Sequence, residues 1–251
     1  MNPLIIYDNK LLTCTLTVSG TYSGYDKQNV LDYRPYTFWK AAAAGSNFVK
    51  GYWASAQAVN AVGICGHNLY STGCTIYAEH SANGTDWTTA ETLEVLSDDA
   101  IVLSFDSATK EYWRLRIENS VGVPYIGVLF IGTALEFEFP PDAPLAPKIK
   151  TLKSEAAMSE GGNFLGANVK FAQYELNHVF SEVTNTWYNN SYEPFMANHA
   201  EQLKPFFYAW DLTNKPNDIY YVRLKEDNAR ADTIDRLNYV QFVYLNIIGR
   251  K

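Results

Sequence analysis

Five residues near the start of the chain combine aromatic rings with one cation and could contact a carbohydrate. They are Tyr22, Tyr25, Tyr33, Arg34 and Tyr36, and the sequence around them predicts loops rather than strands. A sugar site needs an aromatic platform and a few polar groups that converge on it. The pattern therefore predicts glycan binding at these loops, while an anchoring role for the same side chains remains an alternative.

The other reactive residue types form no recognisable catalytic or metal-binding pattern. The histidines are few and scattered: His67, His80, His178 and His199. Nucleophile-elbow, zinc-protease, phosphate-loop and dinucleotide motifs are all missing from the sequence. The glycine-rich segment 159–166 contains no lysine that could reach a phosphate, so its glycines predict a loop with positive φ angles. We predict a protein that is not an enzyme, with no catalytic residue, cofactor or metal.

Composition and charge exclude two classes of partner. The net charge is −7 and no basic stripe is present, so nucleic-acid recognition is not expected. No apolar run approaches the ~20 residues that span a bilayer, so membrane insertion is not expected either. Cys14, Cys65 and Cys74 lack metal-ligand spacing. An odd number of cysteines without a secretory leader predicts free, buried thiols in a cytoplasmic chain, with a Cys65–Cys74 bridge as the minor alternative.

One segment of the chain is rich in proline. Residues 139–147 hold four prolines, and such a segment is typical of an extended, semi-rigid connector. We therefore predict two domains, 1–138 and 148–251, joined by the proline-rich linker 139–147.

The first part alternates like antiparallel strands. Trp113, Leu115 and Ile117 would point to one face of a strand, with Arg114 and Arg116 on the other. Short alternating runs separated by Gly, Asn, Asp and Ser predict a β-sandwich.

The second part predicts a small α+β domain, with strands in a barrel or sandwich and one helix. Apolar residues with helical spacing would form the packing stripe of that helix, and Ser191 would cap its start. That stripe consists of Tyr192, Phe195, Met196, His199 and Leu203. The last predicted strand, 237–245, is apolar on both faces, which predicts that both faces are covered.

The first part also resembles a known fold family. The segments that carry the resemblance are 29–32 (Asn-Val-Leu-Asp), 37–39 (Thr-Phe-Trp), 66–69 (Gly-His-Asn-Leu), 81–87 (Ser-Ala-Asn-Gly-Thr-Asp-Trp) and 112–115 (Tyr-Trp-Arg-Leu). Their order and spacing resemble the discoidin or galactose-binding-like jelly roll. The resemblance implies a mainly β protein whose first domain is a jelly-roll sandwich. That fold serves both as a sugar-binding module and as a structural adaptor, and His67 would have a structural loop role.

The second part resembles a segment of tailed-bacteriophage tail proteins. The matching stretches are 153–155, 160–166, 193–195 and 205–210. The resemblance implies a structural virion protein of the tail tip or baseplate, similar in role to a distal tail protein and made in the host cytoplasm. It would form a ring of itself, a hexamer or trimer, and contact other tail proteins such as the tube, tape measure and hub. The jelly roll comes first here, unlike the commonest distal tail arrangement.

The assembly hypothesis has its own candidate contacts. Together with the glycine-rich loop, they are Phe206, Phe207, Tyr208, Trp210, Tyr239, Phe242 and Tyr244. The alternative function is a carbohydrate-binding module that recognises glycans of a host surface.

Overall fold

The protein is mainly β, and every strand pairing described is antiparallel. The computed structural model describes residues 2–143, 148–226, 233–234 and 239–251, without the side chains of residues 119, 120, 182, 233, 234 and 239–241. The strands are β1 (Leu4–Asn9), β2 (Thr15–Val18), β3 (Trp39–Lys40), β4 (Gly45–His67), β5 (Thr75–Ser81), β6 (Thr88–Glu94), β7 (Ile101–Ser120), β8 (Tyr125–Glu136), β9 (Ile149–Met158), β10 (Phe164–Thr184), β11 (Phe206–Ala209), β12 (Ile219–Leu224), β13 (Thr233–Ile234) and β14 (Tyr239–Arg250).

Among the residues that the structure describes, helical structure is confined to short segments. They are the α-helices α1 (Asn185–Trp187) and α2 (Glu193–Asn198), the π-helical turn Tyr188–Tyr192 between them, and the 3-10 turns Lys10–Thr13, Lys27–Leu31 and Ala200–Gln202. Within the described ranges, no helix is long and apolar enough to cross a membrane.

The chain divides into two compact units. The first unit contains residues 3–136 and 206–219, and the second contains Asn2, 137–205 and 220–251. The segment 206–219 thus belongs with the N-terminal unit, although it follows the proline-rich segment in the sequence. The predicted domain limits 1–138 and 148–251 stay a prediction.

Two long strands organise the first unit as a sandwich. Its strand order is β6-β5-β7-β4-β8-β1-β11, with β2 on β4 and β3 on β8. The first part of β4 pairs with β2 and β7, and after a register shift between Tyr52 and Gln57 its last part, Ala61–His67, also pairs with β8. Strand β4 thus keeps β7 as a neighbour on both sides of that irregularity, while its other edge pairs first with β2 and then with β8.

The core of the first unit lies between the two layers of the sandwich. Trp39, Trp113, Leu115 and Ile117 have no exposed surface and belong to one hydrophobic cluster. The predicted alternation of β7 is confirmed, because Trp113, Leu115 and Ile117 point inward while the arginines between them lie on the outer face.

Strand β11 pairs with β1 and is buried in the first unit outside that cluster. Leu4 and Ile6 of β1 pair with Ala209 and Phe207, and the Phe207 ring lies edge-on to Phe130 at 5.2 Å. Removal of apolar side chains from water favours this position of β11, because Phe206, Phe207 and Tyr208 have no exposed surface there. These three side chains therefore cannot face a neighbouring copy, contrary to their proposed role as assembly contacts.

The second unit is a small sheet with a helical cover. Its strand order is β12-β14-β10-β9, with β13 on β14. On β10, Phe180 is buried and stacks on Phe137 at 4.0 Å. Phe137 also contacts Trp187 and Tyr192 of the helical segment. The expectation of one helical segment is confirmed, but it starts earlier than predicted. Thr184, not Ser191, caps it, because the Thr184 side chain accepts a hydrogen bond from the Trp187 N–H at the end of β10.

Strand β14 is covered on one face only among the residues described. Val243, Leu245 and Ile247 are buried, whereas Phe242 and Tyr244 on the other face are more than one-third exposed. The expectation that both faces are covered is therefore wrong for this chain by itself. The exposed rings of Phe242 and Tyr244 remain available for contact with another molecule.

The described part of the predicted linker is hydrogen-bonded to strand β10 of the second unit. The Asp142 N–H donates to the Val179 carbonyl at 2.8 Å, and Ser181 Oγ donates to the Asp142 carboxylate at 2.7 Å. Residues 144–147 lie outside the described residues.

Candidate glycan-binding site

A short strand pair anchors the candidate site in the first unit. Trp39 and Lys40 of β3 pair with Ile126 and Tyr125 of β8. Successive side chains of a strand point to opposite faces. Trp39 is fully buried, so Lys40 and Tyr125 point outward. The Trp39 indole N–H donates to the Gly20 carbonyl at 3.1 Å and ties the preceding loop to this strand.

The loop before β3 folds back over it. The Tyr22 N–H donates to the Lys40 carbonyl at 2.9 Å, and the Tyr25 N–H donates to the Tyr22 carbonyl at 3.1 Å. Gly24 lies between the two tyrosines with φ +88°, a left-handed conformation that glycine adopts without strain. This turn brings both tyrosine rings to the same place.

Four rings form a continuous surface, called here the aromatic platform: Tyr22, Tyr25, Phe38 and Tyr125. Tyr25 stacks on Phe38 with centroids 4.9 Å apart, and Phe38 packs on Tyr125 at 4.5 Å. Tyr22 meets Tyr25 edge-on at 6.0 Å. Tyr22 is exposed and the other three rings are half-buried, so the platform presents ring area to solvent on a fixed base.

One cation belongs to the platform. The Lys40 ammonium lies 4.8 Å from the Tyr22 ring centroid and 5.6 Å from that of Tyr25, within the range of a cation–π interaction. The site therefore joins aromatic area with a localised positive charge.

Two half-buried amide side chains hold the base of the platform in place. The Tyr125 N–H donates to Asn68 Oδ1 at 2.8 Å, while Asn68 Nδ2 donates to the Val123 carbonyl at 3.1 Å. Asn29 Nδ2 donates to the Phe38 carbonyl at 2.9 Å. Asn29 and Asn68 belong to the segments that carry the discoidin resemblance, and in the structure they support the site rather than line it.

The structure distributes the sequence-predicted residues unequally. Tyr22 and Tyr25 join the platform. Tyr33 is half-buried with φ +63° and its ring meets Phe130 edge-on at 5.6 Å, which matches the anchoring alternative. Arg34 and Tyr36 are exposed on the same turn, where the Arg34 N–H donates to the Asp32 carboxylate at 2.8 Å. The role of these five residues in sugar binding stays a prediction.

Three platform residues were missed by the sequence reasoning. Phe38 and Lys40 flank the buried Trp39, so strand alternation would place both on the outer face. Tyr125 comes from a distant strand and meets Phe38 only through the β3–β8 pairing, for which the sequence carries no local signal.

His67 has the structural role that the resemblance implied. Its Nδ1 accepts the Leu69 N–H at 3.2 Å, so the proton resides on Nε2, which contacts the Asp99 carbonyl at 2.8 Å. Burial lowers the pKa of His67. The Asp99 carbonyl and the carboxylates of Asp98 and Asp99 act in the opposite direction, but they offset this effect only in part. The neutral imidazole thus joins two loops.

The first unit also has an apolar groove of about 300 Å³, and none of the platform residues lines it. It is lined by residues 91–97 and 100–104, together with Leu212, Pro216, Asn217 and Ile219. In the described part of the chain, no group of three or more His, Cys, Asp or Glu side chains is placed to hold a metal ion. Cys65 and Cys74 are free, buried thiols, as expected, whereas the free thiol of Cys14 is only half-buried.

Comparison with protein-family models and with curated proteins gives no match. Several solved structures are similar. A pectin-binding carbohydrate-binding module has 19% identity and a TM-score of 0.41, over 47% of this chain and 89% of that chain. A chitosan-binding module from a chitosanase/glucanase of Paenibacillus sp. IK-5 has 19% identity and a TM-score of 0.42, over 51% and 100%. A Clostridium perfringens CBM32 module in complex with GalNAc-β-1,3-galactose has 12% identity and a TM-score of 0.41, over 47% and 94%. At these values the comparisons record a limited resemblance of the β-sandwich fold over about half of this chain.

Proposed function

We propose that the first unit is a carbohydrate-recognition module whose ligand lies on the aromatic platform. The observation that carries this proposal is the set of four touching rings, of which Tyr22 is exposed and Tyr25, Phe38 and Tyr125 are half-buried. Aromatic rings held on a rigid base lose little conformational freedom when a ligand covers them. The apolar face of a pyranose ring suits such a surface.

The charge at the platform favours one class of sugar over another. The Lys40 ammonium stands over two of the rings, so an amino sugar that carries its own positive charge would be repelled there. Neutral sugars and uronic acids avoid that repulsion, and a uronate carboxylate would gain a charged partner. The proposed ligands are therefore neutral or acidic glycans.

A glycan array followed by titration calorimetry tests the proposal. Tyr22→Ala should weaken binding of the best array ligand at least tenfold, because truncating the most exposed aromatic anchor of the platform costs about 2 kcal/mol. Tyr70→Ala is the matched control, since Tyr70 is exposed to a similar extent (54% against 49%) and lies in another loop. Absence of any array ligand, or an equal loss in both variants, would refute the proposal.

A structural role in a bacteriophage tail tip is the second candidate. It is favoured by the aromatic face of β14, where Phe242 and Tyr244 remain exposed, and by the exposed hairpin of the second unit. In this proposal the chain forms a ring of itself, a hexamer or trimer, and contacts the tube, tape measure and hub proteins. Trp210 is half-buried, and the Tyr239 side chain lies outside the described part of the chain.

Fractionation of virions tests this second candidate. Antibody or mass-spectrometric detection of the chain in purified tail tips, with rings visible by electron microscopy, is the expected result. A chain that never enters tail fractions would exclude it, whatever the outcome of the glycan array.

A further inference from the structure

The hairpin of β9 and β10 extends beyond the rest of its sheet. Strand β14 pairs with β10 from Tyr174 onward, where Tyr174 lies opposite Gly249. From Phe164 to Gln173, β10 pairs only with β9 among the strands described. We call residues 149–173 the arm. A two-stranded hairpin is marginally stable in water unless something packs on it.

One face of the arm is apolar. Residues directly opposite each other in an antiparallel pair share a face, so Leu152 lies with Ala172, Val169 with Ser154, and Phe164 with Met158. The arm face is defined by Leu152, Ala156, Met158, Phe164, Ala167 and Val169. The reverse face is more polar, with Thr151 opposite Gln173 and Glu155 opposite Asn168; its large apolar residue within these pairs is Phe171, opposite Lys153.

This arm face is the outward continuation of the core face of the second unit. Leu176, two residues beyond Tyr174 on the same side of β10, is fully buried. Along the same face, exposure rises to 56% at Leu152, 54% at Val169 and 65% at Phe164. The chain thus continues a core-type surface into solvent. An exposed apolar surface of this kind marks a contact with another molecule.

We propose that the arm face packs against the arm face of a second copy of this chain, with the two arms antiparallel. The pairing would be isologous, so it closes at two copies. Ala156 and Ala167 lie between the larger side chains and permit close approach of two such sheets.

Charge supports a second copy as the occupant. The arm carries Lys150, Lys153 and Lys170 against Glu155 and Glu160, a net charge of +1, although the whole chain carries −7. Two whole chains, each acidic, would repel each other. Their arms carry little net charge, so contact through the arms avoids most of that repulsion. Lys150 lies at the base of the arm and Glu160 in its turn, so antiparallel arms place each lysine near the glutamate of the partner copy.

The inference does not rest on sugar recognition, which involves the first unit. It also differs from the ring of the second candidate, because a two-fold contact closes at a dimer. Sedimentation of the 251-residue chain tests it. The wild type should sediment at about twice the monomer mass of 28.3 kDa at micromolar concentrations.

Two lysine substitutions on adjacent residues separate the faces of the arm. Val169→Lys should shift the chain to the monomer, because it places a charge in the arm face. Asn168→Lys is the matched control, since Asn168 is exposed on the same strand but points to the reverse face, and it should leave the dimer intact. Circular dichroism and the melting temperature show that both variants are folded.

Cross-linking gives a second measurement that does not depend on weakening the dimer. Ser154→Cys lies on the arm face near its middle and should form a disulfide-linked dimer on mild oxidation, whereas Asn168→Cys should not. The native thiols of Cys65 and Cys74 are buried, and the half-buried thiol of Cys14 is present in both cysteine variants, so any cross-link through it is common to the two. A monomeric wild type, an oligomer unchanged by Val169→Lys, or equal cross-linking in both cysteine variants would overturn the proposal.

Discussion

Lys40 Nζ lies 4.8 Å from the centre of the Tyr22 ring, on a strand whose next side chain inward, Trp39, is fully buried. This relationship places a positive charge at a fixed point of the aromatic platform. If the platform binds glycans, Lys40→Met should weaken binding of an acidic oligosaccharide about threefold to tenfold while a neutral one of equal length changes little. The loss of one exposed charge contact corresponds to about 1 kcal/mol.

Titration calorimetry with oligogalacturonate and a neutral oligosaccharide measures this difference. Lys50→Met is the control, because Lys50 also lies over a ring, that of Phe48 at 5.9 Å, but not at the platform. An equal effect of both substitutions on acidic sugars would point to a general charge effect and against a specific role of Lys40.

Buried His67 should make the stability of the protein depend on pH. Burial lowers its pKa in the folded state below the ordinary value of 6.5. Between the lowered pKa and 6.5, the unfolded chain binds more protons than the folded chain. The contribution of neutral His67 to the free energy of unfolding is therefore complete above about pH 6.5 and is lost as the pH falls below that value.

Urea denaturation at pH 7.5 and pH 5.5 measures this effect. His67→Gln should be less stable at pH 7.5, because the contacts to Leu69 and Asp99 are weakened, but its free energy of unfolding should fall less on acidification. His80 also has a lowered pKa, yet it titrates equally in both proteins. Identical pH dependence in wild type and variant would contradict the prediction.

Glu79 is a buried carboxylate between two arginines on the outer face of β5 and β7. Arg114 Nε and Arg116 Nε donate to it at 2.6 and 3.0 Å, while their guanidinium groups lie over Trp87 and Tyr77. Glu79→Ala should lower the free energy of unfolding by about 3 kcal/mol, because it removes the charge that both arginines share.

An exposed ion pair supplies the comparison for Glu79. Glu226 contacts Arg223 at 3.0 Å, but its side chain is 70% exposed, so Glu226→Ala should cost less than about 1 kcal/mol. Urea unfolding at one pH and one salt concentration measures both variants. Equal effects would show that the Glu79 network is no more stabilising than a surface pair.

Local alternation in the sequence was enough to predict the β architecture, but not the contacts between distant strands. Trp113 and Arg114 could be assigned to opposite faces because side chains alternate along a strand. The same reasoning could not identify Glu79 as the partner of Arg114, since the pairing of β5 with β7 sets that contact.

The candidate site shows the same division between local and distant information. Tyr22 and Tyr25 were found because they lie in one loop, whereas Tyr125 is contributed by β8. The start of the helical segment was misplaced for a different reason. Ser191 has the residue type of a cap, but Thr184 ends β10 directly and takes that role. Residue type alone does not reveal where a strand runs straight into a helix.

The position of β11 gives a last prediction, because nothing local in the sequence assigns it to the first unit. A methyl group on Gly63 would lie 2.5 Å from Cδ2 of the Phe207 ring. Gly63→Ala should therefore destabilise the protein by about 1–3 kcal/mol through overpacking. Gly161→Ala, where the nearest atom beyond its chain neighbours is 3.8 Å away, should have little effect.

A double-mutant cycle shows whether the Phe207 ring is the cause. In a Phe207→Leu background the smaller side chain leaves space, so Gly63→Ala should cost clearly less than in the wild type. Thermal or urea unfolding of the four proteins measures the coupling. Strict additivity would mean that Phe207 does not pack on Gly63, and would contradict the position of β11 against β4 in the first unit.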